Sequence, residues 1–96
     1  MATTTTHVYP HIIKDPEVCS GKACIEGTRI RVVDIVGLHH HGYSPEQMLN
    51  VYGAPLTLGQ VHAALGYYYE HPSEIEASLE EDAKLVAELE RGNAAR

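Results

Sequence analysis

The sequence predicts a mainly α domain, in which a short N-terminal β-arm precedes a trihelical helix-turn-helix bundle and a C-terminal amphipathic helix. Three observations carry this. Ser44-Pro45-Glu46-Gln47, Thr57-Leu58-Gly59-Gln60 and Ser73-Glu74-Ile75-Glu76 each read as a capping box, with a hydroxyl on an orphan N–H and a Glu or Gln reaching back. Apolar residues recur at spacings of three and four downstream of Val33 and alternate only upstream of it. There is no Trp and no Phe among 96 residues, so the core must come from Ile, Leu, Val, Ala and six Tyr, which suits packed helices better than a large sandwich.

The β-arm comes first. Residues 1–7 are neutral and polar and read as a disordered leader. His11-Ile12-Ile13 is expected as a short edge strand, because Pro10 cannot donate to a central ladder. Asp15-Pro16-Glu17 is a turn, and Ser20-Gly21 and Gly27 mark others. From Thr28 to Val32, Ile30 and Val32 point one way and Arg29 and Arg31 the other, which predicts a half-buried strand. A two-stranded ribbon is marginal alone and needs the helices or a second copy to lean on.

The helices follow at about 33–41, 45–52 and 58–71. Gly42 is a C′ residue, Pro45 stands at the first position of its helix, and the loop Gly53-Ala54-Pro55-Leu56 separates the second from the third. The predicted core stripe is Ile35, Leu38, Met48, Leu49, Leu58, Val61, Leu65 and Tyr68. The domain thus spans 8–71, and 72–96 forms a helix of about 74–91 with its tail. On that helix Ile75, Leu79, Ala83, Val86 and Leu89 make one narrow apolar stripe. It is expected to dock on the body, a second subunit or a different protein, since an isolated helix of this kind is not stable. Ile75, Leu79, Val86 and Leu89 are the candidate partner-binding residues.

Charge separates the two parts. Residues 1–69 carry five acids against four bases, and residues 70–96 carry eight acids against three, within a net charge of −6. A near-neutral body with an acidic tail still permits contact with nucleic acid. In a helix-turn-helix, the second helix of the motif enters the major groove. That role falls to the helix from Thr57 to His71, with Gln60 as a base reader and His62 and Tyr67 as phosphate contacts on its outward side. This helix has no Lys or Arg. The basic candidates are instead Lys22, Arg29 and Arg31 on the arm, which a dimer would double into a patch. An ion pair of Arg29 with Asp15, Glu26 or Asp34 is the structural alternative.

Other chemistry is poorly supplied. Cys19 and Cys24 lie outside tight zinc-knuckle spacing, and His39, His40 and His41 fan around a helix, so no metal or other cofactor is expected. No nucleophile elbow, phosphate loop, dinucleotide fingerprint or paired carboxylates in a cleft appear, so the chain is not expected to be an enzyme. Without a cationic start and apolar h-region or a membrane-length run, a cytoplasmic protein with reduced thiols is expected, with no membrane contact.

The run Gly21-Lys22-Ala23-Cys24-Ile25-Glu26-Gly27-Thr28-Arg29-Ile30-Arg31-Val32 resembles the hallmark of the family catalogued as domain of unknown function 433. Asp15-Pro16, Gly42-Tyr43-Ser44-Pro45-Glu46, Tyr52 and Leu56-Thr57 with Val61, Ala64, Leu65 and Tyr68 extend the resemblance over about 9–71. Ala23 stands where the family has Pro. The resemblance implies a homeodomain-like helix-turn-helix with a short β-arm. It also implies kinship with VapB-type antitoxins of type II toxin-antitoxin systems, which neutralise PIN-like ribonuclease toxins and bind their own operator DNA. A homodimeric antitoxin, with its acidic helix on a basic toxin surface, is therefore the leading expectation. A dimeric protein-interaction adaptor that binds no DNA is the alternative.

Overall fold

The computed structural model describes residues 5–53 and 55–94, so residues 1–4 of the expected leader lie outside the described residues. Four helices, α1 (Val32–His40), α2 (Pro45–Tyr52), α3 (Leu58–Glu70) and α4 (Pro72–Ala94), follow a three-stranded antiparallel sheet of β1 (Thr6–Tyr9), β2 (Ile12–Lys14) and β3 (Cys24–Ile25) in spatial order β1-β2-β3. The chain is mainly helical with a small sheet at its N-terminus.

The sheet differs from expectation in three ways. Thr6 and His7, assigned to the leader, belong to β1, and His7 pairs with Ile13. β1 takes the edge, so Ile12–Lys14 becomes the central strand; Pro10 falls in the β1–β2 turn, where its missing N–H costs nothing. The predicted strand from Thr28 to Val32 does not form. The Thr28 hydroxyl donates to the Ile25 carbonyl at 2.8 Å and accepts from the Ile30 N–H at 3.0 Å, which curls the chain after Gly27, whose φ is +81°. Only Cys24 and Arg31 are left to bridge, and Val32 already begins α1.

The helices follow the local chemistry closely. Ser44 accepts from the Gln47 N–H at 3.1 Å and Gln47 returns to the Ser44 N–H at 2.8 Å; Thr57 and Gln60 repeat the exchange at 3.2 and 2.9 Å. Gly42 takes φ +87° just beyond α1, as a C′ residue does. The Arg31 N–H donates to Asp34 at 3.0 Å, so α1 is capped by its own third residue. The capping box expected at Ser73 is absent. α4 starts at Pro72, one residue after α3, and Glu74 and Glu76 accept instead from the hydroxyls of Tyr67 and Tyr68 at 2.7 and 3.0 Å.

The core joins both halves. Ile12, Ala23 and Ile25 of the arm pack with Val32, Val33, Ile35 and Val36 of α1, Met48 of α2, Val61, Ala64, Leu65, Tyr67 and Tyr68 of α3, and Ile75 of α4. Leu58, expected in this core, is exposed at the first position of α3, while the preceding Leu56 is buried in its place. Leu38 and Leu49 are half-buried against the core. No helix among the described residues is long and apolar enough to cross a membrane.

Candidate functional site

The chemistry of the chain converges on α4, whose two halves sit in different surroundings. The proximal half is held to the body. Ile75 is 3% exposed and Leu79 is half-buried against the core, so these two candidate partner residues are occupied by the chain itself. Ser78 and Ile75 face Lys22, Ala23 and Val33. Around this apolar contact run three ion pairs to the arm and the start of α1. Lys14 meets Glu74 at 3.0 Å, Lys22 meets Glu81 at 3.1 Å, and Arg31 meets Asp82 at 3.1 Å. Arg31 also donates to Asp34, through Nη2 at 2.8 Å and Nε at 3.3 Å. All are partly exposed, and pairs of this kind contribute about 0–1 kcal/mol each, so they orient the helix more than they fasten it.

Glu74 is the best-placed member. Burial opposes its charge, but hydrogen bonds from Tyr67 and Lys14 and the charges of Lys14 and His71 outweigh that and lower its pKa below the ordinary 4.5. A carboxylate with a depressed native pKa contributes stability that is present above its unfolded pKa and lost as pH falls through the folded one. The docking of α4 is therefore expected to hold at pH 5 and above and to weaken below the ordinary value of 4.5. Acid titration of stability should show this, and Glu74→Gln should flatten that part of the curve.

Beyond Asp82 the body ends and the helix continues. With 3.6 residues per turn, Ile75, Ser78, Asp82, Leu85 and Leu89 lie on one face at alternating steps of three and four, with Val86 beside Leu89. The face that docks the proximal half thus runs on uncovered: Leu85, Val86 and Leu89 are 56%, 52% and 61% exposed. By the same geometry Glu88 and Glu90 flank this stripe on its two sides, and Lys84 and Arg91 fall on the far side. The acidity of the tail is unevenly spent. Glu74, Glu81 and Asp82 already face cations of the body. Leu85 was missing from the candidate stripe, though its spacing of four to Leu89 and three to Asp82 was readable in the sequence.

The candidate DNA contacts do not assemble into one surface. Tyr67 is 2% exposed rather than outward. Its ring stacks on His71 at 4.3 Å and meets Tyr9 edge-to-face at 6.0 Å, and burial followed by Glu74 raises its pKa. The turn of α3 needed to bury Tyr68 and Ala64 also carries Tyr67 inward, onto the sheet side. Gln60 is half-buried and engaged in capping Thr57. His62 is exposed, and shares the outward face of α3 with the exposed Leu58 and Tyr69, a face without a cation. Lys22 and Arg31 are paired with α4. Arg29 is exposed, and among the described residues it forms no ion pair with Asp15, Glu26 or Asp34. Asp15 instead accepts from Thr5 and from the Glu17 N–H, which lower its pKa.

The thiols and histidines have local partners. Cys24 is buried and that burial pushes its thiol up to about 12, while Cys19 donates to the Arg29 carbonyl at 3.3 Å. His39 contacts the Tyr69 hydroxyl at 3.0 Å, and His41 Nδ1 lies 2.8 Å from the Gly37 carbonyl oxygen. Among the described residues no three His, Cys, Asp or Glu side chains group as metal ligands would.

Fold and site together define a small helical domain with a β-arm, from which the distal half of one amphipathic helix protrudes with its apolar stripe exposed. The chain belongs to the DUF433 family, described as proteins of unknown function, whose model matches residues 12–68. It is similar to a DUF433 member protein from Anabaena variabilis ATCC 29413, solved in a crystal structure at 2.00 Å. The two are 33% identical with a TM-score of 0.68, over 73% of this chain and 68% of that one. No curated protein matches the chain. The family match ends before α4, so the protruding helix lies outside the segment by which membership is recognised.

Proposed function

We propose that this chain is a non-enzymatic protein-interaction module of the antitoxin type, which seats the distal half of α4 in an apolar, basic-rimmed groove of a partner. The observation that carries this is the continuation of α4's docking face past its own body, with Leu85, Val86 and Leu89 uncovered. Apolar anchors on a helix at spacings of three and four are the usual means of helix-in-groove recognition. Glu88 and Glu90 flank those anchors, and acids in such positions favour a positively charged rim. Kinship with VapB-type antitoxins supplies the partner class, a PIN-like ribonuclease, whose RNA-binding surface has that sign. The bundle α1–α3 serves in this reading as a homeodomain-like scaffold that holds α4 in place. The edge strand β1 is the surface for pairing with a second copy, because its outer side offers unpaired backbone groups.

Operator contact is not part of this proposal for the chain as folded. Lys22 and Arg31 are paired with carboxylates of α4, and α3 has no Lys or Arg. The resting protein is therefore closer to the adaptor reading than to a repressor. The test is a chain ending at Asp82, co-expressed with a PIN-like ribonuclease. It should keep its fold and its self-association, yet lose neutralisation of the ribonuclease. Full neutralisation by the shortened chain would overturn the proposal.

A further inference from the structure

The geometry points to a phosphate-backbone site on the arm that α4 keeps closed: Lys14, Lys22 and Arg31 form a cationic strip, and Glu74, Glu81 and Asp82 occupy it as an intramolecular stand-in for nucleic acid. This goes beyond the protein-docking role, which rests on residues 85–89 and not on the strip.

Four bases precede residue 70, and three of them are the cations paired with α4. The positive charge of the body is thus not scattered over its surface; it is gathered under one helix. The three cations come from different elements, β2, the segment before β3 and the residue before α1. What they share is the side facing α4. Their carboxylate partners span residues 74–82, about 12 Å along the helix at 1.5 Å per residue. At about 3.4 Å of axis per phosphate on one strand, that span covers about three to four phosphates, so a phosphate backbone would reach the same donors. The fourth base, Arg29, is exposed, two residues before Arg31. The acids near the strip offset it only in part. Asp34 stays on Arg31 when α4 leaves and takes up some of its charge, Asp15 is bonded to Thr5 and the Glu17 amide, and Glu26 faces His7 at 2.9 Å, which leaves Lys14 and Lys22 without a carboxylate partner from α4.

The cover is also suited to release. Its ion pairs are partly exposed and hence screened by salt, and its buried apolar contact is limited to Ile75 with the half-buried Leu79. A single residue, His71, joins it to α3. Displacing the proximal half of α4 exchanges three carboxylates for phosphates at the same cations, which is the form an autoinhibitory contact takes.

The experiment compares the full chain with its Glu74→Gln, Glu81→Gln, Asp82→Asn variant, which keeps side-chain shape and the acceptor for Tyr67. A 30-base-pair DNA duplex of arbitrary sequence is the probe, followed by fluorescence anisotropy from 20 to 200 mM salt. The wild type should bind weakly, and the variant at least tenfold more tightly, with a log K against log salt slope of roughly −3 for three phosphate contacts. Adding Lys22→Gln and Arg31→Gln to the variant should return binding to the wild-type level. A second variant, Glu81→Gln with Asp82→Asn, leaves the Tyr67–Glu74 contact intact and should show an intermediate gain; it stands in if the triple variant loses its circular-dichroism signal. Folded variants that bind no better than the wild type overturn the site. So does a gain that survives loss of Lys22 and Arg31, since that would reflect net charge alone. Neither outcome touches the neutralisation assay of the chain ending at Asp82.

Discussion

Tyr67→Ala is expected to lower the unfolding free energy by about 3–5 kcal/mol, the range for truncating a buried aromatic. A domain of this size holds about 5–15 kcal/mol in all, so the variant should lose a large share of its stability and melt well below the wild type. Tyr67 is among the largest fully buried side chains, and it ties three parts together. Its ring packs on Tyr9 of β1 and on His71 at the α3–α4 junction, and its hydroxyl donates to Glu74, which pairs with Lys14. Removing the ring opens a cavity where the sheet, α3 and α4 meet. Tyr67→Phe separates the two contributions: it keeps the ring and loses one hydrogen bond to a charged acceptor, which costs about 1.5–3 kcal/mol at most. Thermal or urea unfolding of both variants checks the ordering. A phosphate-contacting tyrosine would behave in the opposite way, with stability unchanged by alanine, so a small effect would favour the outward role that the sequence predicts for Tyr67.

That misreading marks where local sequence stops being informative. α2 has the bounds its capping box and Pro45 predict, 45–52, and α3 begins at Leu58 behind Thr57 as expected. Each of these signals is settled within four residues, by an N–H and the side chain that reaches it. The failures come where that local signal competes with another turn or with a partner outside it. Thr28–Val32 alternates as a strand does, but β3 is two residues long and offers it a single bridge, so the turn made by Thr28 prevails. Ser73 has the sequence of a cap, but Tyr67 and Tyr68 reach Glu74 and Glu76 across the junction, and the helix begins at Pro72. Lys22 and Arg31 read as cations free of the tail because their α4 partners, Glu81 and Asp82, lie 59 and 51 residues away, although Asp34 stands three residues after Arg31. A stripe of apolar residues on the last helix was legible; how far the body would reach beneath it was not. It is that reach, ending at Asp82, which turns one continuous stripe into a core contact and an open face.

Leu85→Asp with Leu89→Asp should reduce partner binding by a hundredfold or more while leaving the isolated chain's stability within about 0.5 kcal/mol of wild type. The second half of this expectation follows from exposure: neither side chain is covered by its own body, and surface substitutions away from caps and cores rarely move stability further. The first half follows from hot-spot energetics. Apolar anchors at the centre of an interface cost about 2–4 kcal/mol or more each when lost, and two carboxylates placed in an apolar groove add desolvation without a counter-ion. A matched control, Lys84→Gln with Arg91→Gln, alters charge on the opposite side of the same two turns and should leave affinity nearly unchanged. The pair of measurements, calorimetric binding to a PIN-like ribonuclease of the proposed partner class and thermal unfolding of the free chain, distinguishes docking from folding. If the aspartates destabilised the free chain as much as they weakened the complex, Leu85 and Leu89 would have to be covered in solution by the chain itself or by a second copy. The open face would then belong to self-association, and the partner's groove would have to be sought on the outward side of α3, where Leu58, His62 and Tyr69 are exposed.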